Sequence, residues 1–172
     1  RLYHDNVLAK QTGCGRTPWH FDDHHFPLDT NDVVTAWVPA QPIPLEMGPL
    51  SFAYPLDVHK LVNAVTFEKT GTGYDCGVSD VFLKNNVSVN ETPFELGEVS
   101  FHHNLNFHTA SSNRTNRSRV ALANTYYRDG ARVVNAPTMV SGDWQKFMPN
   151  VKPGDIAVSP LNPICWPVKD KP

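Results

Sequence analysis

The sequence predicts a mainly β fold, a sandwich or barrel of short strands with few helices. Three observations carry this expectation. Fifteen prolines and ten glycines cut the chain into short stretches. Those stretches are rich in β-branched and aromatic residues. No long segment keeps a 3.6-residue apolar period, so the helices that a parallel α/β sheet needs between its strands are missing.

Residues 1–10 (RLYHDNVLAK) alternate loosely and give way to Gly13 and Gly15, which reads as a first strand. A Thr-Pro-Trp turn at 17–19 leads to His20 and Asp22. Residues 32–40 (DVVTAWVPA) are a β-branched and aromatic run stopped by Gln41-Pro42-Ile43-Pro44, and 48–54 (GPLSFAY) is another short one. Residues 57–64 open on Asp57, a capping residue, and predict a short helix. A strand is expected at 65–70, followed by a flexible turn at Gly71-Thr72-Gly73 that opens no amphipathic helix. The longest predicted strand, 97–108 (GEVSFHHNLNFH), starts at a glycine. Strands follow at 118–128 and, after Asp129-Gly130, at 131–137. A second short helix is expected at 141–148. The Pro-rich tail 153–172 carries Ile156, Val158, Leu161 and Trp166 and is expected to pack as an extended strap.

With 172 residues and no linker or repeat, the simplest organisation is one domain over 1–172. Fifteen basic against seventeen acidic residues give a net charge of −2, and no basic stripe forms, which excludes the usual nucleic-acid binder. No run of about 18 apolar residues exists to span a membrane. Cys14, Cys76 and Cys165 are far apart and odd in number, which fits a reducing, cytoplasmic compartment. The counter-signal is four glycosylation sequons, at Asn86, Asn90, Asn113 and Asn116.

His20-x-Asp22 is the first chemical signal. Two neutral imidazoles and one carboxylate hold iron(II) on one face and leave the opposite positions open. On a strand, residues i and i+2 point to the same side. A third ligand is available downstream from His102, His103 or His108. A dicarboxylate cosubstrate such as 2-oxoglutarate also needs a guanidinium for its far end. His103 with Arg114 and His108 with Arg119 share a spacing of eleven. Arg114 falls in the polar loop SSNRTNRS, whereas Arg119 enters the strand RVALANTYY, which can fix its register. His108 and Arg119 are therefore preferred. His102 shares His108's parity and is expected behind the metal, while His103 faces away.

The motifs LYHDN (2–6), TPWHFD (17–22), TAWVP (35–39) and LEMGPL (45–50) resemble the phytanoyl-CoA dioxygenase family of iron(II)/2-oxoglutarate oxygenases. GEVSFH (97–102), FHTASSNRTNRSR (107–119), DGARV (129–133) and SPLNP (159–163) continue the likeness in the same order. The resemblance implies a double-stranded β-helix, a cupin-like jelly roll, here lacking the family's N-terminal region. It implies His20, Asp22 and His108 as catalytic iron ligands and Arg119 as the clamp for 2-oxoglutarate. Asn6, Lys10 and Trp37 match positions that line the cosubstrate or substrate pocket. Fe(II), 2-oxoglutarate and O2 are the implied cofactors, with ascorbate as the reductant in vitro. The implied reaction is hydroxylation of a small organic substrate with release of succinate and CO2. Retention of Asp22 argues for hydroxylation over halogenation, in which chloride takes the carboxylate's place.

The sequence departs from the family at Phe21, where Gln is frequent, and at Ala110, which replaces a small hydroxyl residue that Thr109 is placed to substitute. PLDVH (55–59) replaces a Pro-Gly-Ser-His turn. Two rival readings are a cupin-like protein binding zinc or manganese without redox chemistry, and a degenerate oxygenase that no longer turns over 2-oxoglutarate.

Overall fold

Two four-stranded antiparallel sheets form the body of the protein. The computed structural model describes residues 1–67 and 72–166. One sheet contains β1 (Leu2–Lys10), β3 (Val33–Pro39), β6 (Ser100–His103) and β8 (Arg119–Tyr127) in the order β1-β8-β3-β6. The other contains β2 (Thr17–His20), β4 (Leu50–Tyr54), β5 (Ser88–Glu91) and β7 (His108–Ala110) in the order β2-β7-β4-β5. The expected jelly roll is this pair of sheets.

Alternation decides what each strand contributes. Along β8, Arg119, Ala121, Ala123, Thr125 and Tyr127 are buried while the residues between them are less so. Ala121 and Ala123 pack with Trp37 of β3 against Leu50, Phe52 and Ala110 of the opposite sheet. Those two alanines leave space, and a cavity lies against Ala123. A second cluster, Tyr3, Leu28, Val33, Tyr127, Val133, Trp144 and Met148, closes one end of the sandwich. The third, with Val58, Val62, Tyr74, Val78, Phe82 and Phe107, attaches two helices, α1 (Val58–Leu61) and α2 (Gly73–Asn85).

Several expectations are corrected. The single strand expected over 97–108 breaks into β6 and β7, which belong to different sheets. The corner is fixed by Asn104, whose amide donates to the Val33 carbonyl (3.1 Å), and by the Asn106 amide, which donates to the His103 carbonyl (2.9 Å). The helix α2 was not expected. Its buried Tyr74, Val78 and Phe82 recur every four residues, but Gly73 and Gly77 mask the pattern. Residues 65–67 are not strand, and 68–70 and Gly71 lie outside the described residues. Residues 131–137 form only isolated bridges, Val133 to Leu28 and Arg132 to Ile156. The helix expected at 141–148 is a pair of short 3₁₀ turns, Met139–Ser141 and Trp144–Lys146.

The described part of the tail packs through residues other than its large apolar ones. Ala157 and Asn162 are buried, whereas Ile156, Val158, Leu161 and Trp166 are exposed. Asn162 Nδ2 donates to the carbonyls of Leu2, Tyr3 and Phe147, so a polar side chain holds the strap. Residues 167–172 lie outside the described residues.

Candidate metal centre and its cavity

Two strand ends and the turn that follows one of them converge on one point. His20 closes β2, His108 opens β7, and the two are a register pair across that sheet. Asp22 does not sit on the strand with His20, as the i, i+2 reasoning assumed. The chain has already turned into right-handed helical backbone there (φ −85°, ψ −13°), ahead of a 3₁₀ turn at Asp23–His25. Its place is fixed from across the molecule: the Asp22 and Asp23 amides both donate to the Asn104 carbonyl, at 2.8 and 3.2 Å.

The donor atoms of His20, Asp22 and His108 all lie within 4.8 Å of one another. Asp22 Oδ1 is 3.5 Å from His20 Nε2 and 3.8 Å from His108 Nε2. Donors at right angles on one ion, each about 2.0–2.2 Å away, are about 3 Å apart, so small inward movements would seat a metal. Each histidine uses its other nitrogen on the backbone. His20 Nδ1 donates to the Pro18 carbonyl and His108 Nδ1 to the Asn106 carbonyl, both at 2.8 Å. Those bonds select the tautomer that leaves Nε2 free to ligate.

Electrostatics agree with that role. Burial, with repulsion from His20, pushes His108 down to about 3, so it is neutral near pH 7. Burial alone would raise the Asp22 carboxyl, but His102, His108 and His20 outweigh it and hold it below the usual carboxylate range. His102 is not on His108's strand, yet its Nε2 lies 3.7 Å from Asp22 Oδ2. Its ring packs against His108 with centroids 4.9 Å apart, and its buried Nδ1 has no partner among the described residues. The two Asp22 oxygens are thus divided, one toward the ligand pair and one toward His102. His103 is turned away and accepts from the Leu105 amide.

A cavity of about 330 Å³ adjoins this cluster. Arg119, Asn6 and Trp37 line it together with the three candidate ligands. Arg119 is only 5 % exposed. Its Nη1 donates to the Gly48 carbonyl (2.6 Å), its guanidinium carbon lies 5.3 Å from the Trp37 ring centroid, and its buried Nε has no partner among the described residues. No carboxylate pairs with it among the described residues. Burial pushes the guanidinium down. Trp37 is both core and cavity wall, and its indole N–H also lacks a partner.

Lys10 stands elsewhere. It is buried, and its Nζ donates to the carbonyls of Gly15 (3.0 Å), Ala110 (3.2 Å) and Ser111 (2.8 Å), tying the β1–β2 connection to β7. It is not part of the cavity wall. Burial, then the cross-strand Arg119, push it down to about 8. The Thr109 hydroxyl donates to the Thr17 carbonyl, so its proton is unavailable to a ligand. Asn113 is buried with its amide donating to the Lys10 and Arg117 carbonyls, which removes that sequon from the accessible set.

Sequence reasoning missed His4, which lines the cavity and has a buried, unpartnered Nδ1, and the buried Thr35–Thr125 hydroxyl pair (3.0 Å). Strand parity could have found His4, because His4, Asn6 and Leu8 alternate along β1 and all line the cavity. His25 and Phe26 also line it.

The model of the phytanoyl-CoA dioxygenase (PhyH) family matches residues 1–121. Among solved structures, the non-heme alpha-ketoglutarate-dependent carbocyclase SnoK from nogalamycin biosynthesis aligns with TM-score 0.71 and 23 % identity, over 94 % of this chain and 60 % of its own. The epimerase SnoN from the same biosynthesis aligns at 0.64 and 22 %, over 95 % of this chain and 59 % of its own. SnoN in complex with Fe3+, alpha-ketoglutarate and nogalamycin RO aligns at 0.60 and 25 %, over 77 % and 52 %. The chain thus spans 60 % or less of the length of these proteins. The two lower identities speak for the fold alone. No curated protein sequence matches the chain.

Proposed function

The chain belongs to the phytanoyl-CoA dioxygenase family, and from that premise we propose that it is an Fe(II)- and 2-oxoglutarate-dependent oxygenase that hydroxylates a small organic substrate, releasing succinate and CO2. Residues 1–172 supply its catalytic jelly-roll domain. One observation carries the reading. A buried guanidinium with no acidic partner among the described residues shares a single cavity with a His-Asp-His cluster whose free nitrogens face one carboxylate oxygen.

Charge explains why these parts belong together. A buried cation without a partner costs several kcal/mol. A divalent ion, the Asp22 carboxylate, the Arg119 guanidinium and a dicarboxylate dianion together sum to zero. A smaller or monoanionic guest would leave Arg119 or the ion uncompensated.

His20, Asp22 and His108 would hold the ion, each preset by its backbone bonds. Arg119 binds the far carboxylate of 2-oxoglutarate, with Gly48 and Trp37 fixing the plane of the guanidinium. Leu50, Ala123 and Trp37 keep water away from the cosubstrate. Fe(II) with 2-oxoglutarate and dioxygen supplies the oxidising chemistry for a substrate C–H bond. A zinc or manganese protein without redox chemistry has no use for Arg119 in that position.

The test is succinate release from anaerobically purified, iron-loaded protein with 2-oxoglutarate and ascorbate, across a metabolite library with products identified by mass. A product heavier by one oxygen is expected. Asp22→Ala is expected to lose metal binding and succinate release together; normal turnover in that variant would end the assignment.

A further inference from the structure

We propose that a second, apolar cavity beside the metal centre receives an uncharged, ring-bearing part of the substrate, so that the substrate spans both cavities. This rests on the oxygenase reading above. The second cavity measures about 360 Å³, and Trp19, Phe21, Val62, Phe67, Tyr74 and Phe107 are among the residues of its wall, with His24 and Asn63 as polar members. His20 and His25 line both cavities, so the two meet at a candidate iron ligand.

Three features select the occupant. First, among the described residues, the second cavity is lined by no Asp, Glu, Lys or Arg. The Tyr74 hydroxyl is already committed, donating to the Trp19 carbonyl at 2.9 Å. A charged guest would lose its hydration there without compensation. Second, the rings are arranged as flat and edge-on surfaces. Trp19 and Phe107 are stacked, with 12° between planes, and Phe67 meets Tyr74 edge-on at 5.1 Å. Planar guests gain from such surfaces beyond simple burial. Third, exposed apolar residues stand at the cavity beside the exposed His24, His25 and Asn63. Met139, Phe67 and Val140 are 98 %, 59 % and 53 % exposed. Val140 lines the cavity, and its carbonyl lies 3.3 Å from His25 Nδ1. Clustered exposed apolar residues beside a cavity mark a binding surface.

Volume points the same way. The metal cavity, at about 330 Å³, is at the low end for ligand sites, about 300–1,000 Å³. With a dicarboxylate inside, the remaining space admits part of a large substrate and not the whole of it. The reacting carbon can sit over the metal while the apolar remainder passes His25 into the second cavity.

Indole, a neutral planar bicycle, is the probe. Calorimetric titration into zinc-loaded protein with 2-oxoglutarate present is expected to show binding that Phe67→Ala weakens about tenfold, since a lost aromatic contact of ~1.4 kcal/mol corresponds to that factor. Val140→Trp, which crowds the cavity, is expected to weaken it as well. Both variants should bind metal and 2-oxoglutarate as the wild type does, because neither residue touches that machinery. With Mn(II) in place of zinc, the indole proton resonances should broaden, placing the probe beside the ion. No binding of indole, equal binding to both variants, or no broadening by bound Mn(II) would overturn the proposal. Indole binding that both variants weaken, in a protein that takes up no metal, would instead overturn the metal reading and the substrate role with it.

Discussion

Replacing Arg119 with methionine should separate two quantities that usually fall together. The side chain is 5 % exposed, donates to the Gly48 carbonyl at 2.6 Å, and lies over Trp37 at 5.3 Å. Methionine keeps the stem and removes the charge. The fold loses about 1.5–3 kcal/mol for the charged hydrogen bond and about 0.5–2 for the cation–π contact. It also escapes a desolvation cost of several kcal/mol for an unpaired buried cation. These nearly cancel, so the melting temperature should move by less than about 4 °C. Binding of 2-oxoglutarate has no such offset. Two parallel bonds to its carboxylate, taken at about 1.5 kcal/mol each, amount to roughly 3 kcal/mol, or about 150-fold in affinity. Calorimetry of 2-oxoglutarate into nickel-loaded protein, with metal affinity measured separately, reads both. A folded variant that binds 2-oxoglutarate within about twofold of wild type would refute the clamp. Parallel loss of metal binding would show that Arg119 supports the ligands instead.

Further outcomes follow from the same geometry. His102→Phe should weaken metal binding by about 10–100-fold by freeing the second Asp22 oxygen, and His102→Gln, which restores a donor, should recover part of it in a metal titration. Lys10 is pushed down to about 8, so below that pH it is charged in both folded and unfolded chains and its burial cost is present in full. As pH rises from 8 toward 10 the folded state gives up its proton first, and stability gains relative to Lys10→Met; denaturant melts of the two proteins at pH 7, 8 and 9.5 should show the difference shift in that direction. Gly48 has φ +74°, and a Cβ there would lie 2.2 Å from the Ser111 carbonyl oxygen. Gly48→Ala should therefore destabilise the protein by about 1–3 kcal/mol in chemical unfolding and weaken 2-oxoglutarate binding, because the carbonyl holding Arg119 must move.

The sheets were legible because their strands are built from β-branched and aromatic runs that stop at glycine or proline, as at Val33–Pro39 and Arg119–Tyr127. The chain's break between His103 and His108 was not. FHHNLNFH is continuous in character, and the turn depends on Asn104 finding the Val33 carbonyl, a partner far away in sequence. Lys10 misled for a similar reason, since its three carbonyl acceptors come from elsewhere in the chain. The candidate ligands could be read because their residue types and spacing carry the chemistry directly. The path that brings Asp22 to them, a turn beyond the strand, could not.

The corner at Asn104 has a wider consequence. Its amide joins β3, its carbonyl takes the amides of Asp22 and Asp23, and its side chain donates to Asp23 Oδ1 at 2.7 Å. One residue thus fastens the early half of the grip to the segment that delivers the late half. An incompletely assembled chain would own all the donors and no grasp. Uptake of a metal ion at these donors would therefore report that this long-range closure has taken place.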